Sequence, residues 1–278
     1  MPNAYPSTVT VGVGALTIEE VVAVARYGAT VEISAEALDE VASTRDRVEE
    51  LAQDPTPVYG ISTGFGALAR RHIPEEMRAQ LQLSLVRSHA AGTGPEVEEE
   101  VIRALMLLRL STLCTGRTGV RPVVVETYAK ALNAGIVPVV REYGSLGCSG
   151  DLAPLAHCAL ALLGEGEVRV GGELKDAGEA LAAAGIEPLE LREKEGLALI
   201  NGTDGMLGQL CLAITDLHAA AKTADIATAM TVEGLLGTLV VFADDLQQLR
   251  PHPGQADSAA NIRQVADGSE ILAAALEE

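Results

Sequence analysis

Three short stretches hold residues whose types and spacing can do chemistry: "YGISTGFG" from Tyr59 to Gly66, "GSLGCSGD" from Gly144 to Asp151, and "LINGTDG" from Leu199 to Gly205. Each is rich in Gly, Ser, Thr or Asn and lies between apolar runs, the setting in which loops on a rigid scaffold carry binding and catalysis. A serine-hydrolase reading of Ser149 wants a strand and G-x-S-x-G before it; "REYGSLGCSG" supplies neither. A phosphate loop wants G-K-[ST], and no lysine is near. Cys148 at a helix N-terminus is a chemically sound nucleophilic thiol, but no partner base is evident. Backbone chemistry is an unusual alternative that the residues alone permit without selecting. Gly150 has no Cβ, so its amide nitrogen can approach the Cys148 carbonyl in a bend closed to larger residues. Cyclisation with loss of water, and dehydration of Ser149, would give an exocyclic methylene on an imidazolone. That is an electrophile no ordinary side chain supplies, and the positive end of the following helix favours electron flow into it.

The elements around these loops read as helices. Thr17 and Glu20 have capping-box spacing before Ile18–Ala25, and Ser34 can cap a run with Ala35, Leu38, Val41 and Val48 near helical period to Leu51. Helix signals follow from Pro74 to Val86, from Val97 to Cys114 with Ile102, Leu105, Met106 and Leu110 on one stripe, and from Val120 to Gly135. Pro154–Leu163 is helical, "EVRVGGELK" is a hairpin turning at Gly171-Gly172, and a short helix ends near Gly185. A long apolar-periodic region runs from Leu207 to Leu249, broken by "RPHPGQ", and a last helical piece ends at Glu278. The class is mainly α with one small β-hairpin.

Composition agrees. The 278 residues are 48% hydrophobic but only 3% aromatic, with no Trp, so aliphatic side chains must fill closely packed helices. A net charge of −19 argues against a nucleic-acid partner and disfavours an anionic membrane surface. The stretch from Ile226 to Phe242 carries Glu233 and two glycines, which reads as a buried helix rather than a membrane span. No secretory signal is visible, and Cys114, Cys148, Cys158 and Cys211 form no C-x-x-C pair or metal-ligand spacing. Reduced thiols, a cytoplasmic location and no metal are expected.

"GSLGCSGDLAPLAHCALALLGEGEV" resembles the signature of the ammonia-lyases that build 4-methylideneimidazol-5-one (MIO), most closely the histidine ammonia-lyases. "YGISTGFG", "LVRSHAAGTG", "LINGTDGM" and "RPHPGQ" resemble the same family in the same order, from about residue 10 onward. The resemblance implies that Cys148, Ser149 and Gly150 form the MIO ring, with Ser149 losing its hydroxyl and no external cofactor. Many members have Ala at the first position; Cys148 contributes mainly its carbonyl, so the ring is still expected. Tyr59 resembles the loop tyrosine that removes the substrate β-proton. An unperturbed phenol titrates near ~10, so that role needs neighbouring donors. Ser88 and His89 resemble the histidine-specific selectivity pair, with Gly66 also on the substrate side; Asn201 resembles the amide that orients ring or substrate. Gly60 and Gly64 look like backbone conformers of a mobile loop, whereas Asp151 and His157 are expected to cap and pack the following helix.

The implied reaction is elimination of ammonia from L-histidine to trans-urocanate. A tyrosine or phenylalanine ammonia-lyase or 2,3-aminomutase is the neighbouring alternative, and a non-catalytic helical oligomerisation scaffold is the alternative of a different class. The organisation implied is an N-terminal domain over 1–205 bearing the MIO loop, then the start of a long central helical bundle over 206–278. Family members are longer, and the tyrosine, arginine, glutamine and glutamate of their later half do not occur before Glu278. Partners implied are a homotetramer or a C-terminal complement.

Overall fold

Thr17 opens the first helix as its spacing predicts. Its hydroxyl oxygen accepts from the Glu20 N–H at 3.2 Å while the Glu20 carboxylate accepts from the Thr17 N–H at 2.8 Å, a closed capping box at α1 (Ile18–Tyr27). The computed structural model describes residues 5–146 and 150–275. In it α1 is the crossover between two strands that sequence reading does not find, β1 (Thr8–Val11) and β2 (Thr30–Ile33), paired in parallel with Val9 beside Val31. Each is four residues long and alternates buried Val with exposed polar side chains, a pattern too short to stand out in a helical context.

Ser34 caps α2 (Ala35–Gln53), whose buried stripe is Ala37, Val41, Arg45 and Val48. α3 (Glu75–His89) and β3 (Thr93–Glu96) precede α4 (Glu99–Cys114). The expected stripe on α4 is buried, but so are Ala104, Leu107, Leu108, Arg109 and Leu113, so this helix is enclosed almost all round. α1, α2 and α5 (Pro122–Asn133) pack on it. β4 (Ile136–Pro138) and β5 (Arg141–Tyr143) lead to α6 (Leu152–Leu162), which packs on α3 and α8 (Glu195–Ile200). That packing sets the C-terminal end of α3 beside the start of α6. The expected hairpin is β6 (Glu167–Val170) and β7 (Glu173–Asp176), with Gly171 and Gly172 both at positive φ in its turn. β4 extends it to three strands and β3 pairs with β5, both unforeseen. α7 (Ala177–Ala183) follows the hairpin.

α9 (Asp204–Gly234) runs past the boundary between two compact units, one through Leu212 and one from Ala213. The second unit adds α10 (Asp244–Gln247), α11 (Pro253–Val265) and α12 (Glu270–Ala275) around a small core of Ala229, Ile262, Ala266 and Leu272. Asp225 accepts from Ser258 and Asn261 and ties α9 to α11. The expected buried helix over 226–242 is not found. α9 stops at Gly234, Leu236 takes φ +51°, and 240–242 form a single 3-10 turn, with Ile226, Val240 and Val241 exposed. The glycines at 234 and 237 break the helical run that the apolar pattern suggested.

The first unit also buries an ion pair at the start of α8. Glu195, fully buried, accepts from the Arg121 backbone N–H at 3.0 Å, from its guanidinium at 2.8 Å, and from the Arg192 N–H at 2.8 Å. Lys194, held just before it at φ +74°, is one of two non-glycine residues at positive φ among those described. Removing one partner of such a pair leaves the other unpaired. Glu195→Ala is expected to lower the unfolding free energy by about 3 kcal/mol or more, read from denaturant midpoints.

Candidate active site

Gly150 stands at the entry to α6 with φ +106°, and a Cβ built on it would fall 1.7 Å from the Gly202 carbonyl oxygen. No other residue fits there. The same carbonyl accepts from the Asp151 N–H at 2.6 Å, so two of the three sequence-selected loops interlock through their backbones. Asp151 is expected to cap its own helix, but its carboxylate points elsewhere. It accepts from the Gly205 and Met206 N–H groups at 2.7 and 3.0 Å, which makes it the cap of α9, and from the Ser145 hydroxyl at 2.7 Å. A buried carboxylate at a helix N-terminus is well matched to the positive end of the helix dipole.

Beside Gly150 lies a cleft of about 650 Å³, lined by Ser88 and His89 from the end of α3, Gly144 and Ser145, and Leu152 and Ala153 of α6. His89 Nδ1 is 2.9 Å from the Leu85 carbonyl and 3.1 Å from Ser88 Oγ, and the Ser88 hydroxyl donates to the same carbonyl at 2.9 Å. With the Nδ1 proton given to Leu85, Nε2 is the nitrogen left for a ligand. His157 of α6 faces the other way in chemistry: its Nε2 accepts from the Gly92 N–H at 3.2 Å. Burial, reinforced by Arg141, holds its imidazole below the ordinary histidine range, which suits a nitrogen that must stay unprotonated to accept.

Tyr59 and Gly66 are not among the residues lining that cleft. Tyr59 is about half exposed; its ring meets Phe65 edge-on at 6.1 Å, and the Lys194 ammonium lies 6.0 Å from its centroid. Burial keeps that ammonium below the usual lysine range. The loop is anchored at Gly60, where φ is +73° and a Cβ would crowd Leu197 of α8 at 3.0 Å. Gly66 opens a 3-10 turn and is exposed. Asn201 ends α8, its carbonyl accepting from Arg109 at 3.0 Å; among the described residues its side-chain amide makes no hydrogen bond. The loop carrying it is shorter than the sequence implies, because α8 includes Ile200 and α9 begins at Asp204. Cys148 and Ser149 lie outside the described residues.

Sequence reading missed Arg109, Asp204 and Gln82. Arg109, 2% exposed, donates to the Ala198 and Asn201 carbonyls and lies 3.3 Å from the Asp204 carboxylate. Burial raises the Asp204 pKa, an effect Arg109 and the Thr112 hydroxyl oppose. Gln82 bridges α3 to α8, accepting from the Leu197 N–H at 3.3 Å. The available signal was a charge inside "LMLLRLSTLC", where an arginine has no solvent face to occupy. Of the cysteines, burial pushes the Cys114 thiol up to about 12 and raises Cys158 as well, which leaves both inert.

The mainly helical scaffold that holds this glycine-bearing bend and its cleft is the fold of a known class of enzymes. The family model for aromatic amino acid lyases matches residues 16–278, and the chain belongs to that family. It is 62% identical, over 94% of its length, to the histidine ammonia-lyase of Streptomyces coelicolor, of which the match covers 51%. Among solved structures it is similar to a tyrosine aminomutase from Streptomyces globisporus, with a TM-score of 0.89 and 43% identity over 95% of this chain and 50% of that one. A histidine ammonia-lyase from Trypanosoma cruzi gives a TM-score of 0.85 and 38% identity, covering 97% of this chain and 52% of that one. The chain spans about half the length of the relatives it matches.

The His157 contact carries a pH dependence. An imidazole depressed in the folded state is protonated more readily when unfolded, so its contribution to stability is complete above the unfolded value near ~6.5 and is lost as pH falls through it. Urea midpoints are expected to fall between about pH 7 and 5 with a component that His157→Gln, which keeps an acceptor for Gly92, removes.

Proposed function

We propose that this chain is the N-terminal half of a histidine ammonia-lyase, which removes ammonia from L-histidine to give trans-urocanate. The observation that carries the reading is the cleft that brings Ser88 and His89 alongside Gly150. Gly150 also fits the MIO group the family implies, because its φ of +106° and its contact with Gly202 admit no Cβ, the condition under which its nitrogen can close on the Cys148 carbonyl. MIO formed from Cys148, Ser149 and Gly150 would supply the electrophile that engages the substrate.

The chain's own residues do the rest in this reading. His89 offers Nε2 to the substrate imidazole, with its ring held by Leu85 and Ser88. A ring that is both donor and acceptor is distinguished from a phenyl ring by such a partner, since loss of a matched polar contact costs more than a change of apolar volume. Tyr59 takes the β-proton, and Asn201 offers its side-chain amide to the ring or the substrate. Gly66 lets the Tyr59 loop turn towards the substrate. The remaining groups come from a C-terminal half, and the active assembly is a homotetramer in the cytoplasm. Exposed Leu217, Met230, Leu235 and Leu249 in the second unit support further helical partners. Asp216, Lys222 and Asp225 along α9 argue against a bilayer setting.

A second reading, a tyrosine-directed lyase or aminomutase, is favoured by the similarity to the tyrosine aminomutase structure. Assays of the protein extended through its C-terminal half separate them: urocanate from L-histidine supports the first, β-tyrosine or coumarate from tyrosine the second. His89→Leu is expected to lower kcat/KM for L-histidine by about a hundredfold while the fold is kept. Unchanged kcat/KM would remove His89 from the substrate site.

A further inference from the structure

The buried arginine of α4 has a place in the site that neither the motifs nor the family reading assigns. Arg109 lies in an enclosed helix among Leu107, Leu108 and Leu110, where a guanidinium is costly unless its partners are fixed. Its partners all belong to one chain reversal. Nη1 donates to the Ala198 and Asn201 carbonyls at the end of α8, and Nη2 faces Asp204 in the first turn of α9. Between them, Gly202 is pressed onto the guanidinium: a Cβ there would come within 2.8 Å of both Nη atoms and 2.3 Å of Asp204 Oδ2. The other side of Gly202 is its carbonyl, which receives the Asp151 N–H at 2.6 Å and abuts the Gly150 Cα. A single path therefore runs from the Arg109 charge, through the two peptide units that meet at the Gly202 Cα, to the residue whose nitrogen must close the ring.

We propose that Arg109 is a positioning residue, which seats the Asn201-Gly202 peptide so that Gly202 holds Gly150 in the bend that ring closure requires. The inference rests on the MIO reading above. In that closure the Gly150 nitrogen bonds to the Cys148 carbonyl carbon and gives up its proton. The carbonyl oxygen departs as water with that proton and the one from the Ser149 N–H, leaving a C=N bond. The Ser149 Cα proton and the Oγ–H hydroxyl depart as a second water, leaving the methylidene; no oxidant is consumed. Among the described residues Arg109 holds Ala198, Asn201 and Asp204, and its effect passes through the backbone geometry of Gly202.

The test separates positioning from stability. Arg109→Met/Asp204→Leu removes both charges of the buried pair, a change that commonly leaves folding stability intact, but it deletes the groups that seat Gly202. Urea midpoints and intact mass with peptide mapping across 144–157 are measured on the protein extended through its C-terminal half, as the parent and as the double variant. Arg109→Lys, which keeps a charge but cannot span two carbonyls and a carboxylate, is read in the same way and serves where the double variant does not fold. The expected result is a parent chain lacking two waters, and folded variants whose dehydrated fraction is at least about tenfold smaller, as for other small displacements of reacting groups. A folded variant dehydrated as fully as the parent overturns the role of Arg109 and leaves the MIO reading standing. A parent chain of unmodified mass overturns both.

Discussion

The carbonyl of Gly202 is the point on which the first unit's site depends. It accepts from the Asp151 N–H and fills the space where any side chain on Gly150 would have to be. One peptide group thus fixes both the start of α6 and the bend that precedes it. Asp151 returns the favour from the opposite direction, holding the first N–H groups of α9 with its buried carboxylate. The two loops are cross-braced, so neither can move without breaking contacts at the other. Bracing of this kind pre-organises the backbone at Gly150 and Gly202.

Around that brace the helices act as rulers. α4 is buried on nearly every side and carries Arg109 beneath the reversal at 201–203, while α6 packs against α3 and α8. The α3–α6 contact brings Ser88 and His89 to the same cleft as Gly150, although some sixty residues separate them in the chain. His157, Gly92 and Arg141 reinforce the same corner, where the imidazole accepts from Gly92 and burial favours its neutral form. The electrostatics of the unit are those of buried, paired groups. Glu195 with Arg121 and Arg109 with Asp204 hold the two ends of α8, and both pairs are buried where pairing matters most.

The second unit has a different character. Its core is four small or medium apolar residues, and Leu235, Val240 and Leu249 stand largely exposed. The apolar pattern over 226–242 is not met by one continuous helix, and burial within the unit takes only part of it, Ala229 with Val232, Leu239 and Phe242 against the small core. Large apolar side chains left exposed in this way mark a surface open to further contacts.

By itself the sequence determined the helical class, the hairpin, the caps at Thr17 and Ser34, and the three loops that carry Tyr59, Gly150 and Asn201. These follow from local rules: side-chain period, capping geometry and the φ preferences of glycine act over a few residues and leave a trace in the string. The motifs also led to the family, since they recur in order. Only the tertiary structure decided that Asp151 caps α9 rather than α6, that Arg109 is the buried support of the Asn201 loop, and that Ser88 and His89 share a cleft with Gly150 while Tyr59 and Gly66 do not line it. It also decided the short strands, where four-residue segments take their pairing from partners distant in sequence. The physical reason is the same throughout. A hydrogen bond or an ion pair is specified by which helices pack together, and a residue's type records that it needs a partner without recording where in the fold the partner is.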